Sequence, residues 1–163
     1  QSKPVAQINT IKTTDFSAKK MVVSKENTTT FNYSNLNQSQ IHLTAENKNL
    51  KIIFSNDAND SLVLEYDPKN KLFSVDRRQS GKVDFEKSFG EKIHTAPTEN
   101  LTTATIDFQI IVDWSSIEIF LNGGVYSLTE QIFPNEPYNK LTIQSNDKQE
   151  IKNITIDSIK GVW

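Results

Sequence analysis

Val75-Asp76-Arg77-Arg78-Gln79-Ser80-Gly81 is the one unusual cluster of the chain. The sequence has sixteen Lys but only two Arg, and both Arg stand here side by side. A guanidinium is a planar fork of donors that an ammonium cannot replace. Such a fork suits a carboxylate or the vicinal hydroxyls of a sugar. With Phe73 and Val75 facing inward, a period of two sends Asp76 and Arg78 to one side and Arg77 to the other. Arg77 then heads toward the core, where it needs an acid. Glu118, within Ile117-Glu118-Ile119-Phe120, and Asp113 are the candidates. Two uses of this cluster stay open: an ion pair tying two strands, or the rim of a sugar pocket. For the pocket, Asp76, Arg77, Arg78, Ser80 and Glu118 would be the polar groups, and Trp114 or Tyr126 the apolar face.

Other chemistries have less behind them. A nucleophilic triad needs Ser, His and an acid held together, and neither His42 nor His94 sits in a nucleophile motif. Asp57-Ala58-Asn59-Asp60 has oxygen ligands but lacks the calcium-loop pattern and its closing Glu, so it reads as a polar turn. No Gly-rich phosphate loop occurs, and no metal or cofactor is expected. Without cysteine there is no disulfide framework, thiol nucleophile or Cys-based zinc site. Eighteen basic against twenty acidic residues leave a formal charge of −2, which gives a basic nucleic-acid face no support. No apolar run approaches the roughly 18 residues of a spanning helix. QSKPVAQINT shows no basic-then-apolar leader pattern.

The elements that must position these groups are strands. Ile leads the apolar residues, Thr, Asn and Ser abound, and there are six Ala; β-branched residues favour pleated sheets, and Asn and Ser favour turns. Residues 1–20 differ: Val5, Ile8 and Ile11 recur at threes behind Pro4, as in a short helical or extended arm. Alternation then predicts strands over 28–33, 40–46, 50–55, 61–66, 71–76, 105–113, 117–122, 125–129, 140–145 and 151–159. Asp67-Pro68-Lys69-Asn70 is a turn, Asn122-Gly123 a tight hairpin, and 86–103 a long loop. Strands at this spacing predict one all-β domain over residues 21–163: two antiparallel sheets in a sandwich of jelly-roll or concanavalin-like type, preceded by the linker arm of 1–20.

DRRQSG, IIVDWSSIEIFLNGG and SLTEQIFP, in this order and spacing, resemble the C-terminal β-sandwich of glycoside hydrolase family 32, whose members are invertases, inulinases and levanases. QSKPVAQINTIK is similar to that family's interdomain linker, and ITIDSIKGVW to its closing strand, so the resemblance reaches both ends. It implies a five-bladed propeller as N-terminal catalytic partner in the same polypeptide. The family's W-M-N-D-P-N-G, R-D-P and E-C motifs do not occur here. The resemblance therefore implies a piece that hydrolyses nothing by itself, with no catalytic residue of its own. A retaining glycosidase needs two carboxylates about 5–5.5 Å apart; Asp76 and Glu118 are acids that might approach each other, but by the resemblance they belong to a non-catalytic module. Fructan-binding modules of carbohydrate-binding family 66 resemble the same sandwich. Two roles follow: a scaffold that packs on the propeller and helps it dimerise, or a module that holds fructan or fructose. Either implies a place outside the cytoplasm: secreted, periplasmic or at the cell surface.

Overall fold

The computed structural model describes residues 2–4, 6, 8–34 and 36–160. The closing Trp163 and Val5 of the N-terminal pattern lie outside the described residues. A single helical turn, α1 (Ile8–Ile11), leads into β1 (Lys12–Val23). Then come β2 (Thr29–Asn32), β3 (Gln38–Glu46), β4 (Leu50–Ser55), β5 (Ser61–Asp67) and β6 (Leu72–Gln79). β7 (His94–Pro97), β8 (Thr105–Asp113), β9 (Ser116–Leu121), β10 (Tyr126–Gln131), β11 (Lys140–Gln144) and β12 (Gln149–Ile159) follow among the described residues.

The strands form two six-stranded sheets, ordered β1-β12-β3-β8-β9-β10 and β2-β11-β4-β5-β6-β7, with every pairing antiparallel. This is the expected all-β sandwich. Alternation in β4, β5, β8 and β9 puts Leu50, Ile52, Phe54, Leu62, Leu64, Tyr66, Ile106, Phe108, Ile110, Ile117 and Ile119 in one buried core. The turns follow their side chains. Asp67 Oδ1 accepts from the backbone N–H groups of Lys69 and Asn70. Asn122 and Gly123 both take φ > 0, and Asn122 Oδ1 accepts from Asp107 N–H, which locks the β9–β10 hairpin onto β8.

Two stretches differ from the sequence reading. Inside the expected 86–103 loop, four residues form β7 and pair with β6. The stretch read as an arm is helical only at α1, and from Lys12 onward it bonds to β12 as the edge strand of its sheet. An edge strand packs on one side only, so KTTDFSAKKMVV carries little apolar alternation. Only Phe16 and Met21 of its large side chains pack against the core, and Val23 joins it.

Each side seam between the sheets has its own closure. At the β1/β2 seam, the rings of Phe16 and Phe31 meet at 4.7 Å, and Tyr33 donates its hydroxyl to Asp15. Burial and this carboxylate push the Tyr33 hydroxyl up to about 12. The β7/β10 seam is closed by charged side chains, described below.

One glycine is fixed by a close approach. Gly81 has φ +131°, and a Cβ there would stand 2.2 Å from the Phe133 carbonyl oxygen and 2.4 Å from Pro134 Cα. Lys82 N–H donates to that same carbonyl at 2.7 Å. We expect Gly81→Ala to lower stability by more than about 2 kcal/mol, from strain and displaced backbone together. Urea unfolding of the two proteins measures this; equal midpoints would contradict it.

Candidate functional site

β6 carries the Asp76–Ser80 cluster, and a bulge re-aims it. Ser61 pairs with Gln79 and Val63 with Asp76, so β6 has one residue more than β5 over this stretch. Arg77 turns inward while Arg78 and Gln79 both face water. The inward course of Arg77 is as expected from its spacing. Its partner is not. Nη1 of Arg77 lies 3.3 Å from Glu130 Oε2 and donates to the Gln131 carbonyl at 3.0 Å. The other oxygen of Glu130 lies 2.6 Å from His94 Nδ1. Phe89 covers the guanidinium, its ring centroid 3.8 Å from Cζ. Arg77 and Glu130 are each only 8% exposed. Glu130 stands on β10 of one sheet, while Arg77 and His94 stand on β6 and β7 of the other. The clasp therefore crosses the seam between sheets.

Glu118 and Asp113, the acids expected to meet Arg77, do not. Ile117 and Ile119 point into the core, so Glu118 points out of the opposite sheet. Glu130 was missed although a signal existed. It shares parity with Tyr126 and Leu128, which pack against the core. An acid in phase with two inward residues is itself inward.

The remaining candidates separate. Asp76 and Arg78 face solvent from the β6 sheet and form a bidentate pair, with Nε–Oδ1 at 2.9 Å and Nη2–Oδ2 at 2.8 Å. The hydrogen bond from Arg78 holds Asp76 below the ordinary carboxylate range, against partial burial. Ser61, Val63 and Gln79 join them around a hollow of about 450 Å³. Ser80 is fully buried, and its carbonyl accepts the Tyr138 hydroxyl at 2.7 Å. Burial pushes that hydroxyl well above its ordinary range. Glu118 and Trp114 line a different hollow, on the outer face of the other sheet. The six residues expected to form one sugar site are thus split among a clasp, a buried support and two outer faces. Asp76 and Glu118, on opposite outer faces, cannot flank one glycosidic bond.

Asp60 is satisfied by nitrogen donors. It accepts from Asn56 Nδ2 at 2.9 Å, Asn135 N at 2.7 Å and Asn135 Nδ2 at 2.8 Å. Its carboxylate acts as a knot between turns, in keeping with the polar-turn reading. Among the described residues no group of three or more His, Asp or Glu is placed to hold a metal ion.

A second polar network went unread in the sequence. His42 Nε2 lies 2.7 Å from Asp107 Oδ1, with Thr44 beside it on the same oxygen. Along the same face, Asp157 is buried and accepts from Lys12 Nζ at 2.8 Å and Thr14 Oγ1 at 2.7 Å. The Asp107 hydrogen bond raises His42 above its ordinary 6.5, against the opposing effect of burial. A His raised on folding stabilises fully below its unfolded value and loses that contribution as pH climbs through the folded value. Relative to wild type, His42→Gln should therefore cost most below the unfolded value of about 6.5 and progressively less as pH rises above it. Urea midpoints of both proteins on either side of that value test this; a constant gap would contradict it.

The chain matches the family profile described as glycosyl hydrolases family 32 C terminal over residues 5–158. Over 99 residues, 60% of this chain, it is 33% identical to a levanase of Bacillus subtilis and 31% identical to an extracellular exo-inulinase of Aspergillus niger. It spans only 14% and 18% of those two proteins. Among solved structures, exo-inulinase from Aspergillus awamori superimposes with a TM-score of 0.78 at 24% identity, over 96% of this chain and 31% of that one. Sucrose-6-phosphate hydrolase from Lactobacillus gasseri gives 0.72 at 21% identity, over 99% and 31%. At these identities the structures speak for the fold, and the profile match carries the family. The chain belongs to glycosyl hydrolases family 32, as the C-terminal β-sandwich domain of that family.

Proposed function

We propose that this sandwich is the non-catalytic accessory domain of a fructan-hydrolysing glycosidase. In this reading, residues 1–11 lead in from an N-terminal five-bladed propeller that does the cleaving, and Lys12–Val23 already belong to the sandwich. The sandwich packs on that propeller and stabilises it. One observation carries the reading: the inward residues of the family pattern serve the sandwich itself. Arg77 and Glu130 close a seam, Ser80 supports Tyr138, and Gly81 lets the 81–93 loop reach Phe133. Groups committed in this way are unavailable to a substrate. The names of the relatives, levanase and extracellular exo-inulinase, support fructan as the substrate class and a place outside the cytoplasm.

A second reading rests on the Asp76–Arg78 hollow. A carboxylate and a guanidinium side by side on an open face can grip a terminal fructose by its hydroxyls. Millimolar affinity amounts to only about 4 kcal/mol, within reach of a small wet site.

Two measurements decide between them. The parent polypeptide should lose heat resistance of its fructan hydrolysis when cut just before residue 1, while the released sandwich turns over neither sucrose, inulin nor levan. An unchanged thermal half-life, or turnover by the sandwich alone, would overturn the scaffold. Titrating fructose, inulin and levan into the sandwich should give no heat up to tens of millimolar; saturable heat abolished by Arg78→Ala would establish the binding module instead.

A further inference from the structure

Asn122-Gly123 is the one Asn-Gly step in the chain. It forms the turn between β9 and β10. Both residues take positive φ, 47° and 65°, and Gly124 N–H donates to the Leu121 carbonyl at 3.1 Å. Such a step carries its own reactive pair. The amide nitrogen of the glycine follows directly on the asparagine, within reach of its side-chain carbon Cγ, and no Cβ shields it. Gly123 is exposed, and among the described residues its N–H has no acceptor. What holds the pair apart is the grip on the Asn122 side chain. Oδ1 accepts from Asp107 N–H at 2.8 Å, and Nδ2 donates to Thr103 Oγ1 at 3.0 Å. The Thr103 hydroxyl gives its own proton to the Thr105 carbonyl at 2.7 Å. Asn47 anchors Thr103 in turn. Its Nδ2 donates to the Thr103 carbonyl at 2.8 Å, and its Oδ1 accepts from the hydroxyl of the buried Tyr66 at 2.8 Å. A chain of hydrogen bonds thus runs from the core to the Asn122 amide. An amide held at both ends cannot swing its Cγ onto the Gly123 nitrogen.

We propose that Asn122 is a self-modification site held closed by this latch: when Thr103 releases it, Asn122 closes on Gly123 and converts to aspartate or isoaspartate. In the first step the Gly123 nitrogen bonds to Cγ and gives its proton to solvent base. The Cγ–Nδ2 bond breaks, and Nδ2 leaves as ammonia with a proton taken from water. Water then opens the resulting ring. Cleavage at Cγ gives aspartate; cleavage at the former main-chain carbonyl leaves the backbone running through Cβ and Cγ, as isoaspartate. Neither product fits the latch. Aspartate sets an oxygen against Thr103 Oγ1, whose proton is already given to Thr105. Isoaspartate lengthens a turn whose two positions fix the register of β9 against β10. Gly124 has no slack to absorb the change, because it lies against the Ser2 backbone with no room for a Cβ. Conversion therefore frees the hairpin from β8. Opening a surface turn takes far less than global unfolding, so the folded chain reaches the reactive geometry at a slow, finite rate.

Peptide mass spectrometry of the 163-residue chain, incubated in warm, mildly alkaline buffer with and without urea, follows the conversion. Unfolded in urea, Asn122 should convert at least about thirtyfold faster than in the native protein, since the latch is then gone. Thr103→Val removes the hydroxyl, and Thr103→Ser keeps it. Native Thr103→Val should convert about tenfold faster than native wild type, the gain in open population that one lost hydrogen bond allows, and Thr103→Ser should keep the wild-type rate. Equal rates for native and unfolded wild type, or no conversion in urea, would overturn the site. A folded Thr103→Val that converts at the wild-type rate would overturn the latch. Should Thr103→Val not fold, the native-to-urea ratio of the wild type decides. The isoaspartyl form, separated by ion exchange, gives a second readout. Its Asp107 and Gly124 amides should exchange with deuterium about tenfold faster than in the parent protein, because both lose their acceptors' geometry. Unchanged exchange there would contradict the freeing of the hairpin.

Discussion

A sandwich of two open sheets has two long seams through which water can reach its core, and this fold depends on how they are closed. At the seam between β7 and β10 the closure is electrostatic. One carboxylate, Glu130, faces a guanidinium and an imidazole projecting from the other sheet. Desolvating such charges offsets much of their attraction, so the clasp is not a large net source of stability. Its force lies in what happens when it is broken: one group left alone in the interior is costly, and few sheet arrangements can satisfy all three. The clasp also organises its surroundings. Phe89 must lie over Arg77, and Phe85 and Phe133 then stack beside it at 4.8 and 5.6 Å from Phe89. At the opposite seam, packed rings and a Tyr–Asp contact do the same work.

The sequence discloses the sheets more fully than it discloses their meeting. Alternation is local, so β4, β5, β8 and β9 lie close to where side-chain parity places them. The inward turn of Arg77 follows from the same parity. Which acid it meets depends on how two sheets face each other, and no period within one strand encodes that. Glu118 looked suitable because its neighbours are apolar, but neighbours at odd spacing in a strand point the other way. Glu130 sits among Thr129 and Gln131 and looks wet, although its own face is the buried one. β1 and β7 escaped detection for a related reason. Both lie at sheet edges or pair briefly, and edge strands need not alternate.

The separation of the candidate residues changes what the family pattern means. A conspicuous pair of arginines near a Ser-Gly invites a ligand. Here one arginine belongs to the core, one to the surface, and the Ser-Gly to a tight backbone crossing. The inward part of the pattern is then a record of how a particular sandwich closes. Its exposed chemistry lies in the Asp76–Arg78 hollow and around Trp114.

The central claim is that Arg77 and Glu130 act as a coupled unit, each needed because the other is buried. A double-mutant cycle of Arg77→Met, Glu130→Gln and the double variant, followed by urea unfolding, measures it directly. Each single change should destabilise by about 3 kcal/mol, and the double should cost far less than their sum, since no lone charge remains buried. Additive losses, with coupling under about 0.5 kcal/mol, would show that the two side chains act separately and would contradict this account.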